Sequence, residues 1–458
     1  MAKESIDSSM VLNRLCFLRG VCIGLVLPGI WSFVRVLGGS ELDLAFNVAV
    51  LGSVNVLAKM LFYWKFEWCF SKKVIGGLGV LGMAGGLLHS TCLTLGIAEL
   101  HTCCYVLLGL WSGALDKIEG VFVDSVFQKP NITKALEAKQ IAKVLGNSSG
   151  AVLGFVVTYF RVGVWVFEIP EMTVGLLVFF VALVAAVDFC LSFPKVPKKV
   201  RRRILTGRRK DHGESWKYET ASISLSRPQE EDIEVPHLAM FTVMLLALIF
   251  YLSYPLKEVA FLVLFMKSNY LTTCKVGLEV ELFGIYVGFL AMKLLESLGT
   301  YLTHKLKGID NRVLTLFIVI ALGIGQGLMI QTKSISLGEF ALAMGVQSLT
   351  LPAGIAFTGN LLFSVLGSEP PLYFTMIYMC LEVLGNFIGP FWTVQAYQVK
   401  CSLCFTFILI FLISSFFLLA LSWKQAEFQK TQKFRPQENL ALNLLNEDYR
   451  YKLKRNLF

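Results

Sequence analysis

Apolar runs of about 20 residues or more recur along the whole 458-residue sequence, each long enough to cross ~30 Å of hydrocarbon as a helix. That recurrence constrains the fold more than any other feature. Composition agrees with it: 55% of the residues are hydrophobic and 16% are charged, with a mean hydropathy of +0.64. A soluble domain carries about a quarter charged residues, and a soluble chain this apolar would expose large greasy patches. The N-terminus does not read as a cleaved signal peptide. Glu4 and Asp7 precede Arg14 and Arg19, and no small-residue cleavage site follows the first apolar run, so that run is expected to remain as a span.

Divided at charged and turn-rich breaks, the runs predict twelve spans. They lie near 15–37, 43–64, 74–96, 102–125, 138–160, 171–193, 238–265, 276–299, 313–332, 338–365, 372–395 and 402–423. The second, fourth and fifth carry charge inside the run: Lys59, then Asp116, Lys117, Glu119 and Asp124, then Lys143. Lys and Arg crowd alternate loops. They include Lys65, Lys72 and Lys73, then Lys129, Lys134 and Lys139, the cluster from Lys195 to Lys210, then Lys305, Lys307 and Arg312. The intervening loops hold little beyond Arg161, Lys267, Lys275, Lys333 and Lys400. The positive-inside rule then puts both termini and the long central loop in the cytosol. The formal charge of +10 is accounted for by these loops, and no nucleic-acid partner is expected.

On this orientation the sequon Asn131-Ile132-Thr133 is cytosolic and Asn147-Ser148-Ser149 lies inside a span, so both read as chance matches. The eleven cysteines are an odd number placed mostly within spans, and they read as small apolar residues rather than a disulfide framework. Cys401 and Cys404 have no second pair and no nearby His. No metal site and no cofactor is expected. The domain plan is a six-helix half over 1–193, a charged cytosolic linker over 194–237, a second six-helix half over 238–423, and a cytosolic tail over 424–458. The basic run in the linker suits anionic lipid headgroups, at about 1 kcal/mol per charge near the surface. It would serve equally as a topology determinant alone.

The two halves are related by an internal repeat. Val144-Leu145-Gly146-Asn147 reappears as Val383-Leu384-Gly385-Asn386, an offset of 239 residues. At the same offset Gly150 falls on Gly389, Ser125-Val126 on Ser364-Val365, Gly86 on Gly325, and Lys73-Val74 on Arg312-Val313. One offset thus relates spans three, four and five to nine, ten and eleven, as in a parallel repeat about an axis along the membrane normal. Spans one and seven do not hold this register. Gly146, Gly150 and Gly154 share a helical face, and Gly385 and Gly389 repeat it before Pro390. Small residues at that spacing let helix backbones approach in lipid. They are expected either to let the two halves meet and rock, or to serve ordinary tight packing.

Two parallel six-helix halves joined by a charged cytosolic loop resemble the major facilitator superfamily over nearly the whole chain. The resemblance implies an all-α integral membrane protein of twelve transmembrane helices. The superfamily's loop signature is faint between spans two and three, where Lys72 and Lys73 stand without the usual glycine and aspartate. It is better kept between spans eight and nine, with Gly299, Lys305, Gly308 and Arg312. Phe363-Ser364-Val365-Leu366-Gly367, Pro370, Pro371, Tyr373, Gly389-Pro390 and Gln395-Ala396-Tyr397 resemble a narrower branch, the lysosomal and vacuolar facilitators related to the seventh neuronal ceroid-lipofuscinosis protein. That branch implies an endolysosomal or vacuolar membrane, with the plasma membrane as the alternative.

Charged side chains at membrane depth are costly and mark functional candidates. Asp116 and Glu119 are three apart on one face of the fourth span, Glu258 follows Pro255 and Lys257 in the seventh, and Arg19 lies in the first. Asp116, Glu119 and Glu258 are expected to form a central proton- or ion-coupling site with Arg19 as an anion contact, and Glu382 is a second-rank candidate. Asp124, Lys143, Lys293 and Glu296 read as structural charges. His89 and His101, near helix ends, read as interfacial or as pH sensors. No Walker loop, zinc spacing or nucleophile elbow occurs, so an enzyme is not expected. The expected function is secondary transport of a small polar or anionic solute, by symport or antiport. A channel on the same fold, or a non-transporting receptor or scaffold, are the alternatives.

Overall fold

The computed structural model describes residues 2–30, 33–34, 37–65, 68–69, 71–126, 129–160, 170–192, 237–267, 278–306, 309–330, 337–366, 372–399 and 402–423. Twelve long helices follow one another: α1 (Ala2–Val26), α2 (Glu41–Trp64), α3 (Lys72–Leu95), α4 (Ala98–Val126), α5 (Lys129–Tyr159) and α6 (Pro170–Ser192) form the first six. The second six are α7 (His237–Lys267), α8 (Leu278–Lys305), α9 (Asn311–Ile330), α10 (Leu337–Leu366), α11 (Leu372–Val399) and α12 (Leu403–Leu421). The predicted linker (except His237) and tail lie outside the described residues, as do Gly308, Gly367, Pro370, Pro371 and Cys401.

Local chemistry sets several boundaries. α1 stops ahead of Pro28, whose ring cannot donate and crowds the preceding turn. Ser40 starts α2 with a capping box: its side chain accepts from the Asp43 backbone, and Asp43 accepts from the Ser40 backbone at 2.7 Å. The α3–α4 hairpin turns at Gly96, whose φ of +64° is strained for any residue with a Cβ. α5 begins nine residues before the predicted span, because a proline in the first helical turn gives up only an N–H that has no partner there.

Eleven of the twelve helices are long and apolar enough to cross a membrane. The exception is α4, which is 29 residues long but carries Asp116, Lys117 and Glu119 in its second half. It nonetheless packs inside the bundle, against α2 and α3. Large apolar side chains are exposed on the peripheral helices, among them Leu191 on α6, Phe317 on α9 and Phe417 on α12. A lipid-facing belt requires such a surface, whereas water would oppose it.

The packing repeats with the sequence. In the first half α1 packs on α5 and α6, α3 on α4 and α6, and α2 on α4. In the second half α7 packs on α11 and α12, α9 on α10 and α12, and α8 on α10. The halves meet along α2 with α11 and α5 with α8, two contacts that the same repeat interchanges. The glycine faces serve mainly inside each half. Gly146 and Gly150 press on the α1 backbone at Phe17 and Val21, and Gly385 and Gly389 press on α7 at Tyr251 and Leu252. Gly154 alone of this set touches the other half, against the Tyr286 ring of α8. The expectation that these faces join the halves is corrected to that extent, since the faces point at α1 and α7.

Candidate functional site

Close approach of α1 to α5, allowed by Gly20 and Gly24 opposite Gly146 and Asn147, brings Arg19 against the charged half of α4. Its guanidinium donates to Asp116 Oδ1 at 2.9 Å, to Glu119 Oε2 at 2.7 Å and to the Ser112 carbonyl at 3.1 Å. Lys139 of α5 closes the other side, 3.2 Å from Asp116 and 3.4 Å from Glu119. Arg19 is 1% and Glu119 0% exposed, so this part of the group is sealed. An unpaired charge there would cost several kcal/mol, on the order of a buried ion pair broken on one side. Paired in a network, the charges can persist.

The group has a second, more open side. Lys59 of α2 lies 3.5 Å from Asp116 and 3.5 Å from Glu382 of α11. Lys59 therefore stands between a carboxylate of the first half and one of the second. Lys59, Asp116 and Glu382 are 22%, 23% and 19% exposed, so all three are reachable where Arg19 is not. Beneath them, Ser53 donates toward the Val383 carbonyl at 3.5 Å, and Gly52 faces Asn386.

A second charge group lies between α7 and α8. Lys293 donates to Glu258 at 2.7 Å and to Glu296 at 3.0 Å, and Lys257 pairs with Glu296. Tyr254 donates to Glu296 at 2.9 Å and accepts from Lys293 at 3.2 Å. Both ammonium groups lie over the Tyr254 ring, at 4.8 and 5.3 Å from its centre, an arrangement that favours cations held away from water. Lys257 is wholly buried. This group is balanced, two cations to two carboxylates.

The candidate residues therefore divide. Arg19, Asp116 and Glu119 come together as expected and take in Glu382 through Lys59. Glu258 belongs instead to the α7–α8 group, with Lys293 and Glu296. Lys139, read from sequence as a loop charge, is buried because α5 starts earlier than its apolar run. Lys257 and Tyr254 were not singled out, since each lies inside an apolar run beside the more conspicuous Glu258. Gln326 and Gln347 were missed because they are uncharged. Both are fully buried on α9 and α10, with no hydrogen-bond partner for either amide among the described residues.

His89 and His101 are enclosed by the bundle rather than exposed. Both are buried between α3 and α4, His101 stacked on Phe33 at 4.4 Å between centroids and His89 tilted against it at 4.2 Å, and His101 shares a 2.8 Å hydrogen bond with Tyr105. Of the loop motif, Lys72 opens α3, Lys73 is exposed, and Gly299 packs on the α10 backbone at Leu349. Lys305 lies 5.6 Å above the Tyr301 ring. Arg312 is the tied member: it pairs with Asp310, stacks on Trp423 at 4.9 Å and donates to its carbonyl at 2.9 Å. That contact fixes the end of α12 to the start of α9. Pro390 lies inside α11. No group of three or more metal-ligating side chains occurs among the described residues.

No protein-family model matches the sequence, and no curated protein matches it. Solved structures do match the fold. The xylose transporter XylE from E. coli, in a partially occluded inward-open form, aligns with a TM-score of 0.63 at 12% identity, over 92% of this chain and 97% of that one. A D-xylose–proton symporter aligns at 0.62 and 11% identity, over 91% and 97%. The human organic anion transporter MFSD10 (TETRAN) aligns at 0.54 and 13% identity, over 91% and 99%. XylE is described as a major facilitator superfamily protein. The chain has the major facilitator fold: all-helical, in two parallel six-helix halves.

Proposed function

We propose that the protein is a secondary active transporter that moves a small polar or anionic solute by alternating access. One observation carries the reading: Lys59 lies between Asp116 of one half and Glu382 of the other. A link of that kind has to break when the halves rock apart, so solute or proton binding at the same charges can be coupled to the rocking. The structural neighbours are named as transporters of xylose and of organic anions, which are small polar solutes. Asp116 and Glu258 are the carboxylates best suited to exchange protons, because each keeps some exposure while Glu119 is sealed. The sequence resemblance to lysosomal and vacuolar facilitators adds an acidic endomembrane compartment as the setting, where such exchange has a driving force.

Uptake into proteoliposomes under an imposed pH gradient tests this. Asp116→Asn and Glu258→Gln are expected to lower gradient-driven uptake ~100-fold or more while leaving exchange at equal pH less affected, the lower end of one proton-transfer contribution. Glu119→Gln is expected to act mainly through stability. Gradient coupling unchanged in all three variants would overturn the proton-coupled part of the reading.

A further inference from the structure

The first half's charge group is not balanced. Arg19, Lys59, Lys139 and Lys143 face two carboxylates of their own half, Asp116 and Glu119, and a third, Glu382, reaches in from the second half. One cation is in excess while the halves are closed, and two are in excess once Glu382 leaves. The cations are unequally held. Arg19 and Lys139 each contact both α4 carboxylates. Lys59 has only contacts of 3.5 Å, and one of them is to Glu382. Lys143 lies one turn beyond Lys139 on the same helix face, where its backbone carbonyl meets Gly20, the neighbour of Arg19. Among the described residues no carboxylate comes within ion-pair distance of it. The Nε–H of Arg19, although buried, also has no acceptor among the described residues.

We propose that this open side of the group, bounded by Lys59 and Lys143, is the binding site for a small dianion, and that Glu382 is a counter-ion that fills part of it when the halves close. The inference rests on the transport reading in taking this as the solute site. A cation would meet net positive charge in a region of low dielectric, and a neutral sugar would leave Lys143 uncompensated. A dicarboxylate, sulfate or phosphate supplies the two negative charges that the group lacks once Glu382 leaves. The α7–α8 group, already neutral, makes no such demand. The solute and Glu382 then compete for Lys59, so binding the solute and closing α2 on α11 oppose one another through a single side chain.

The test uses the purified full-length chain, with thermal unfolding followed in succinate, sulfate or phosphate at fixed ionic strength, and choline chloride and xylose as comparisons. At least one dianion is expected to stabilise the protein. Glu382→Gln, which removes the competitor, should bind it about 10-fold more tightly, and Lys143→Gln about 10-fold more weakly, the size of one charge-assisted hydrogen bond. Lys143→Arg should retain binding. Because Lys143 pairs with no carboxylate, Lys143→Gln strands none, and its unfolding temperature without ligand checks that it folds. Absence of dianion stabilisation in Glu382→Gln overturns the proposal, as does equal affinity in all variants or equal stabilisation by xylose or choline. Flux of the same probes separates the two readings. Dianion binding with the expected variant pattern but no flux removes transport and leaves the site. Flux of a neutral or cationic solute, with KM unchanged in Lys143→Gln and Glu382→Gln, removes the site and leaves transport.

Discussion

Arg19 holds two carboxylates and a backbone carbonyl with a side chain that is 1% exposed. Removing it strands Glu119, which is 0% exposed and keeps Lys139, at 3.4 Å, as its one remaining cation among the described residues. Arg19→Met is therefore expected to destabilise the protein by ~3–5 kcal/mol, the cost of breaking a buried pair from one side. Adding Glu119→Gln should return part of that loss. Lys257→Met is expected to cost less, about 1–3 kcal/mol, because Glu296 keeps Lys293 and Tyr254. Detergent-solubilised thermal unfolding of the three variants would rank them. At this scale the sequence was legible where charge interrupts a long apolar run, as at Arg19, Asp116 and Glu119. It was not legible at Lys139, which sits at the edge of such a run among loop lysines, nor in the pairing of Glu258 with Lys293, which depends on how α7 and α8 face each other.

Between helices, the contact of α1 with α5 is backbone on backbone, made by glycines on both sides. A Cβ at Gly146 or Gly150 would overlap the carbonyls of Phe17 or Val21, and neither can move without shifting the whole helix. Gly150→Leu is expected to cost ~1–3 kcal/mol or more through overpacking. It should also reduce transport, because Arg19 is carried on the helix that would be displaced. Gly385→Leu is expected to do the same to α7 and α11. Gly120, with no described residue within 4 Å of its Cβ position, is the contrasting site. Gly120→Ala should stabilise by about 0.5–1 kcal/mol, through helix propensity alone. Comparing unfolding and uptake for the three would show whether helix approach or glycine itself matters. Helix existence and the repeat were readable in advance, since period and length are written in the chain. The target of each glycine face was not, because a small-residue stripe says that something approaches and not what.

Across the whole molecule, the two halves touch along α2 with α11 and α5 with α8, and the first of these includes the Lys59–Glu382 pair. Both side chains are partly exposed, so the pair is expected to be worth about 1 kcal/mol rather than the several of a sealed one. That is enough to bias a balance between two states about fivefold without locking it. Ser53→Cys, in a background without the native cysteines, places a thiol where a buried hydroxyl now meets α11. Its labelling by a water-soluble reagent should be slow in the parent and about fivefold faster with Glu382→Gln. An unchanged rate would mean that the charge pair does not govern closure.

The exceptional character of α4 bears on how the protein is made. A segment with Asp116, Lys117 and Glu119 in its second half partitions poorly into lipid alone, at about 2.5–3.5 kcal/mol for a central acid. Its main partner, Arg19, emerges from the ribosome earlier, as does Lys59, while Lys139 follows on the next helix. The nascent chain must therefore keep the first two helices beside the insertion machinery until the fourth arrives. Integration of this half then becomes a joint event rather than a helix-by-helix one.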